Sequence, residues 1–151
     1  MDQKDVQIIR ALQKDARLTN QDLSEQVNLS PSPCLRRLRL LEKKGVLKGY
    51  TALVDQKAYG LPLTVFTQIK LHMHNKDAVQ AFEDRVMTIP EIMDCYIITG
   101  GSDYLLRVLC KDLDGYEFFV RETLQNLPGI ASIDTSFAYS VVKQSHVYPE
   151  I

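Results

Sequence analysis

LTNQDLSEQVNLSPSPCLRRLRLLEKKGVLKGY, residues 18–50, reads as two short helices joined by a tight turn. Thr19 followed by Asp22 is a capping-box pattern, in which the hydroxyl and the carboxylate each satisfy a free backbone N–H. Leu23 and Val27 then lie one turn apart on a common face. Asn28-Leu29-Ser30 breaks that pattern and Ser30-Pro31 restarts it, because Ser is a good N-cap and Pro fits the first helical position. Gly45 stops the second helix just after Lys43 and Lys44, whose charges suit its negative C-terminal end. The pattern is that of a helix-turn-helix, whose second helix can enter the DNA major groove.

The second helix sorts its residues by face. At about 100° per residue, Cys34, Leu38 and Leu41 share one side, with Leu35 at its edge. Ser32, Arg36, Arg39 and Lys43 form a stripe on the opposite side, offering three cations and a hydroxyl outward. Arg can bond guanine O6 and N7 bidentately, while Lys and Ser more often hold phosphates. Ser30 and Pro33, at the start of the helix, and Arg37, off the stripe, complete the candidate DNA-contact set. Phosphate contact or a salt bridge suits Arg37 better than base reading. The stripe alone also fits a solvated basic helix; the caps and the turn are what favour DNA. Leu40 falls near the exposed side, where it meets either a thymine methyl or the other domain.

The chain has 151 residues, room for one domain or two small ones, and 45% of them are hydrophobic, ample for packed cores. No apolar run approaches a membrane span, and MDQKDVQ at the start lacks a signal-peptide pattern, so a cytoplasmic location with no membrane partner is expected. Cysteines at 34, 95 and 110 are too scattered for a disulfide framework or a closed zinc site. Residues 1–60 carry a charge balance of +4 and residues 61–151 one of −5. Contact with a polyanion is thereby confined to the first half.

Upstream, residues 3–14 show a helical pattern with Ile8, Ile9 and Leu12 inward, supplying the third helix that a helix-turn-helix core needs. After Gly45, residues 46–54 are β-rich and interrupted by glycine, which suits a small wing and an extended connector. The DNA-binding domain is therefore set at 1–54, a linker with Gly60 and Pro62 at 55–62, and a second domain at 63–151. That second domain contains a pseudo-repeat: Val86-x-x-Ile89-Pro90-Glu91-Ile92 and Leu124-x-x-Leu127-Pro128-Gly129-Ile130. Each follows a helical pattern, with Asn75 and Asp114 as N-caps, and each enters a strand. Strand patterns at 63–73, 92–98, 104–110 and 131–143 complete the order βαββαβ. The fold class is α+β, a winged helix-turn-helix followed by a ferredoxin-like sandwich with two helices on one side of four antiparallel strands. The central strands are apolar on both sides, so the helix-free face is expected to be covered by a second copy of the chain.

These features together resemble the Lrp/AsnC family, the feast/famine transcriptional regulators. The residues carrying the resemblance are D5-V-Q-I-I-R-A-L-Q-K-D-A-R17, L29-S-P-S-P-C-L-R-R-L-R-L-L-E-K-K-G45 and T99-G-G-S-D-Y-L-L106. It implies a non-enzymatic regulator of amino-acid metabolism that binds double-stranded DNA. Its C-terminal domain, of the RAM type, would take an amino-acid effector and no other cofactor. It further implies homodimers that assemble further, commonly into octamers.

The loop Gly100, Gly101, Ser102, Asp103, Tyr104 matches the effector-responsive segment of that family, with Thr135 and Ser136 as weaker carry-overs from the last strand. Glycines let backbone amides approach a ligand carboxylate, and Asp103 can receive an α-ammonium group. The same residues also suit a plain hairpin in which Asp103 caps the loop; the resemblance favours the first reading. His72 and His74 lack a third ligand for a metal, and Cys34 reads as a small core residue. A sensing module that acts on a partner protein would have no use for the basic stripe. A small ferredoxin-like enzyme would need a nucleophile–base pair, metal cluster or phosphate loop, and none stands out.

Overall fold

A computed structural model describes residues 1–150 and divides them into two compact units, Met1–Leu53 with residues 142–150, and Val54–Val141. The first unit contains α1 (Gln3–Lys14), α2 (Asn20–Gln26) and α3 (Pro31–Lys43). Ile8, Ala11 and Leu12 of α1, Leu23 and Val27 around α2, and Cys34 and Leu41 of α3 form its core. The expected faces of all three helices are therefore the buried ones.

These helices are too short to persist alone, so their ends are closed locally. Asp2 with Asp5, and Thr19 with Asp22, each make a complete capping box. At the end of α2 the Leu29 and Asn28 N–H groups donate to the Ser24 and Glu25 carbonyls, with Asn28 at φ +52°. Val46 and Gly45 donate in the same way to Leu41 and Glu42 at the end of α3, with Gly45 at φ +68°. Both are Schellman motifs, and both need the left-handed residue that Asn or Gly tolerates. Ser30 departs from expectation. It occupies the N-cap of α3, yet its hydroxyl accepts no capping bond. Proline at the third helical position, Pro33, has removed an N–H that such a hydroxyl normally takes.

The expected wing has no paired strand within the described residues: 48–55 carry no regular structure. The expected linker is likewise not open chain. It holds a one-turn helix, α4 (Gln56–Tyr59), capped by Asp55. Gln56 Nε2 donates to the Leu61 carbonyl at 2.7 Å and to Thr64 Oγ1 at 2.9 Å, tying this turn into the second unit. That unit closes at Val141 rather than at the expected 151. Residues 142–150 group with the first unit, where Arg10 Nη1 donates to the Tyr148 carbonyl at 2.5 Å and the Tyr148 N–H donates to Gln13 Oε1 at 3.1 Å.

The second unit continues with β1 (Leu63–Leu71), α5 (Lys76–Val86), β2 (Ile92–Ile97), β3 (Tyr104–Cys110), α6 (Leu113–Glu122) and β4 (Ile130–Phe137). The sheet order is β2-β3-β1-β4, antiparallel throughout, which is the ferredoxin-like arrangement. Phe82 and Val86 of α5, Tyr116 and Phe119 of α6, and Val65, Ile69, Leu106 and Val108 of the sheet form its core. Ile89 and Leu127, the residues before the two prolines of the pseudo-repeat, are buried in that same core.

Three local expectations change. Asn75 caps α5 as expected, but α6 is capped by Asp112, whose Oδ1 accepts the Gly115 N–H at 2.8 Å, and not by Asp114. The last strand ends at Phe137, leaving Tyr139 and Val141 exposed beyond it. The helix-free face is also less apolar than the alternation suggested. A register shift between Ile92 and Asp94 turns β2 over, so Ile92 and Cys95 pair with the core residues Val108 and Leu106. Opposite, Asp94 pairs with Arg107 and Tyr96 with Leu105. The helix-free face thus sets Phe66, Tyr96 and Leu105 around an Arg107–Asp94 ion pair of 2.5 Å.

The Tyr116 hydroxyl lies 3.0 Å from Thr67 Oγ1 and 2.7 Å from Thr135 Oγ1, joining α6 to β1 and β4 inside the core. Tyr116→Phe leaves the wholly buried Thr67 hydroxyl short of that partner. The expected loss is about 1–3 kcal/mol in stability, read from denaturant unfolding.

Arg37 Nη1 of α3 donates to Asp2 Oδ2 at 2.7 Å and to Asp5 Oδ1 at 2.8 Å. Bonds from the partner's backbone N–H come first, and Arg37 second, in holding both carboxyls below their ordinary 3.8. A depressed carboxyl stabilises the fold above its unfolded pKa and loses that contribution as pH falls through the folded one. The acid limb from these groups therefore opens below about pH 4. Urea midpoints measured from pH 6 to pH 3 are expected to fall less steeply for Asp5→Asn than for the unaltered chain.

Candidate DNA-reading face and effector loop

Burial of Cys34 and Leu41 on one side of α3 turns Ser32, Arg36, Arg39 and Lys43 to the other, and all four are exposed. With Leu35 and Leu40 they line one shallow open groove. Among the described residues, Arg36, Arg39 and Lys43 have no acidic partner within ion-pair distance. Their charges are thus available to an outside polyanion. Leu40 is 46% exposed among them, an apolar contact surface inside a cationic one. Ser30 adds an exposed hydroxyl where α3 begins, and Pro33 is half-buried beside it. Arg37 takes the salt-bridge option, since its guanidinium is engaged by Asp2 and Asp5.

The loop between β2 and β3 is built around Asp103. Its N–H donates to the Ile69 carbonyl at 2.8 Å, and its carbonyl accepts the Ile98 N–H at 2.9 Å. Its carboxylate Oδ2 accepts the Leu71 N–H at 2.7 Å, and His74 Nε2 lies 3.0 Å from both oxygens. The Leu71 N–H, then His74, hold this carboxyl below its ordinary value, so it is an anion near neutrality. Gly100 has φ +119°, which only glycine adopts readily, whereas Gly101 has no such requirement. Space is open where a side chain would stand at either glycine, so both leave their backbone approachable. Ser102 is half-buried next to them.

Other expected effector residues are placed differently. Tyr104 is only 4% exposed, its ring 4.6 Å from that of Phe82 and its hydroxyl donating to Glu83 Oε1 at 2.8 Å. Burial, and then Glu83, push that phenol well above its usual range. Tyr104 accordingly anchors the loop to α5 and is not open to a ligand. Thr135 turns toward Tyr116 on the helix side, while Ser136, its neighbour along β4, belongs to the opposite face. The register sets Thr135 against Thr67, two residues along β1 from the Ile69 carbonyl that Asp103 uses. The structure therefore does not gather Thr135 and Ser136 with Asp103 into one cluster.

His74 has a role that reading by pattern alone did not give it. Its partner is Asp103, and among the described residues no three His, Cys, Asp or Glu side chains assemble around a cation. Cys34 is fully buried, as a small core residue should be, and burial pushes its thiol up. Among the described residues, no helix is long and apolar enough to cross a membrane.

A winged helix-turn-helix DNA-binding family model matches residues 1–48, and the Lrp/AsnC ligand binding domain matches residues 64–148. The leucine-responsive regulatory protein of Escherichia coli is 39% identical over 146 residues, which cover 97% of this chain and 89% of that protein. The Bkd operon transcriptional regulator of Pseudomonas aeruginosa is 39% identical over 142 residues, covering 94% and 93%. A transcriptional regulator from Neisseria meningitidis, solved as an L-Met complex, superposes with a TM-score of 0.93 at 38% identity, covering 99% of this chain and 96% of that one. With one domain model matched at each end and relatives spanning nearly its whole length, this chain belongs to the Lrp/AsnC family of DNA-binding transcriptional regulators, which are not enzymes.

Proposed function

We propose that this chain is a sequence-specific regulator of amino-acid metabolism whose affinity for DNA responds to an amino acid bound by its second unit. The observation that carries the reading is the segregation of α3, with Cys34 and Leu41 buried and Ser32, Arg36, Arg39 and Lys43 outward. A helix of that build fits the major groove, with Arg36 and Arg39 in reach of base edges. Lys43, Ser32 and Ser30 hold phosphates, and Leu40 offers apolar contact to a thymine methyl.

The effector is an α-amino acid received at the loop 99–104. Support comes from the open backbone at Gly100 and Gly101, the ionised Asp103 beside them, and the L-Met bound by the Neisseria meningitidis regulator. Glycine N–H groups take the ligand carboxylate and Asp103 its ammonium. Thr135 and Ser136 stand apart from this loop, on opposite faces of β4. The chain works as a homodimer that assembles further, up to an octamer. Phe66, Tyr96 and Leu105 on the helix-free face supply apolar surface for that association. A two-fold dimer presents two α3 helices to two half-sites, and the amino acid shifts the balance between assemblies or geometries of differing DNA affinity.

Arg36→Ala or Arg39→Ala is expected to weaken binding to a cognate operator by about 1–3 kcal/mol, with relaxed preference at one base position for whichever reads a base. Gel-shift titration against the DNA upstream of the chain's own gene checks this. Unchanged binding by both folded variants would refute the docking.

A thermal-shift screen of the twenty amino acids identifies the ligand, because a specific ligand stabilises the state it binds. Asp103→Asn keeps an oxygen for the Leu71 N–H but removes the charge. Calorimetry should find that ligand bound about tenfold or more weakly, since a charge-assisted bond is worth about 1.5–3 kcal/mol, while operator binding without ligand is retained. Undiminished ligand affinity would leave Asp103 with the shaping of the loop alone.

A further inference from the structure

Arg37 lies on α3 without belonging to its outward stripe. With Arg36 as origin, Ser32, Arg39 and Lys43 fall within about 60° around the helix, Cys34 and Leu41 lie beyond about 140°, and Arg37 sits near 100°, on the border. There it meets the closed motif that begins α1. Each carboxylate of that motif divides its oxygens. Asp2 Oδ1 accepts the Asp5 N–H at 3.0 Å and Oδ2 accepts from Arg37 at 2.7 Å. Asp5 Oδ2 accepts the Asp2 N–H at 3.0 Å and Oδ1 accepts from Arg37 at 2.8 Å.

We infer that Arg37 is a positioning residue for DNA reading: it pins one flank of α3 to the α1 capping box, fixes the rotation of α3 about its own axis, and does not itself contact DNA. The assignment rests on the outward stripe being the reading face. Two carboxylates already hold the guanidinium, so the group as a whole is anionic. Turning Arg37 to a phosphate would leave Asp2 and Asp5 unpaired beside each other and close to a polyanion. Rotation matters because recognition tolerates little of it. A turn of about 20° moves a side-chain tip about 6 Å from the helix axis by about 2 Å, more than a hydrogen bond survives. The core alone resists such a turn weakly, since Cys34 is a small side chain and Leu38 is only half-buried.

The test uses duplexes that the full-length protein selects from a random pool, titrated by fluorescence anisotropy over a series of salt concentrations. The variants are Arg37→Gln, Asp5→Asn, the two combined, and Arg36→Ala. Asn at 5 keeps a capping oxygen while losing the charge. Positioning predicts that Asp5→Asn and Arg37→Gln each weaken binding by about threefold to thirtyfold. The combination should be no weaker than the worse single variant, and the salt dependence should stay at the wild-type slope. A direct phosphate contact predicts the reverse. Arg37→Gln would then lower the slope by about one phosphate, and Asp5→Asn, which frees the guanidinium, would bind as well or more tightly. That result overturns the inference. So does a lowered Tm with wild-type affinity in both single variants, the mark of a residue that only stabilises. If Arg37→Gln fails to fold by circular dichroism, Asp5→Asn decides alone, because it removes no cation from the DNA face. Arg36→Ala reports on the stripe separately: wild-type affinity there would refute the reading face whatever the Arg37 variants do.

Discussion

Burial of one side of α3 is the constraint on which the candidate DNA-reading face depends. A helix is rigid about its axis, so seating Cys34 and Leu41 in the first core also aims Arg36, Arg39 and Lys43. Slipping the sequence by one residue would rotate every side chain by about 100° and carry charge toward the core. Truncating a buried leucine to alanine costs about 2–5 kcal/mol, and burying an unpaired cation costs several more. The apolar face therefore penalises wrong rotations by large steps. The Arg37 bridge to Asp2 and Asp5 works on the small ones that hydrophobic contact forgives. Arg37, one residue from Arg36, is anchored to a helix that takes no part in the outward stripe.

The ends of the helices serve the same purpose. Closing α2 at Asn28 and α3 at Gly45 with the same Schellman geometry fixes where each helix stops, and hence how long α3 is. Its beginning is handled differently. Proline at positions 31 and 33 removes donors that would otherwise need capping, and it leaves the Ser30 hydroxyl unused by the helix. A hydroxyl spared from capping at the positive end of a helix suits a phosphate, and α3 points that end outward from an exposed residue.

Much of this was legible in the chain itself. The first three helices follow from 3.6-residue periodicity and cap chemistry, both local. The βαββαβ order follows from the pseudo-repeat around Pro90 and Pro128. What periodicity could not carry was anything set by pairing partners far along the chain. The slip in register between Ile92 and Asp94 reverses which side of β2 faces the core, and nothing in IMDCYI announces it. Asp112 and Asp114 fit a cap equally well by type; Asp112 is the one used, with its Oδ1 3.2 Å from where a Cβ on Gly115 would stand. The site divides along the same line. The stripe on α3 was visible because it belongs to one helix. The bonds from Asp103 to Leu71 and His74, and from Tyr104 to Glu83, span tens of residues and needed the fold.

Those long-range bonds bear on how an effector could act. Asp103 already has its N–H, carbonyl and carboxylate engaged, so an incoming ammonium finds an anion in use, not an idle one. Only differential affinity moves an equilibrium, so an ammonium received here would act by being held more tightly in one arrangement of the loop than in another. His74 is the replaceable partner: it is exposed and side-chain borne, whereas the Leu71 N–H is backbone at the end of β1. Exchange of His74 for an ammonium would leave the Leu71 N–H bond to Asp103 in place. Tyr104 meanwhile keeps the far side of the loop anchored to α5 through Glu83. A loop held firmly on one side and exchangeably on the other is the arrangement a small ligand can bias at modest cost.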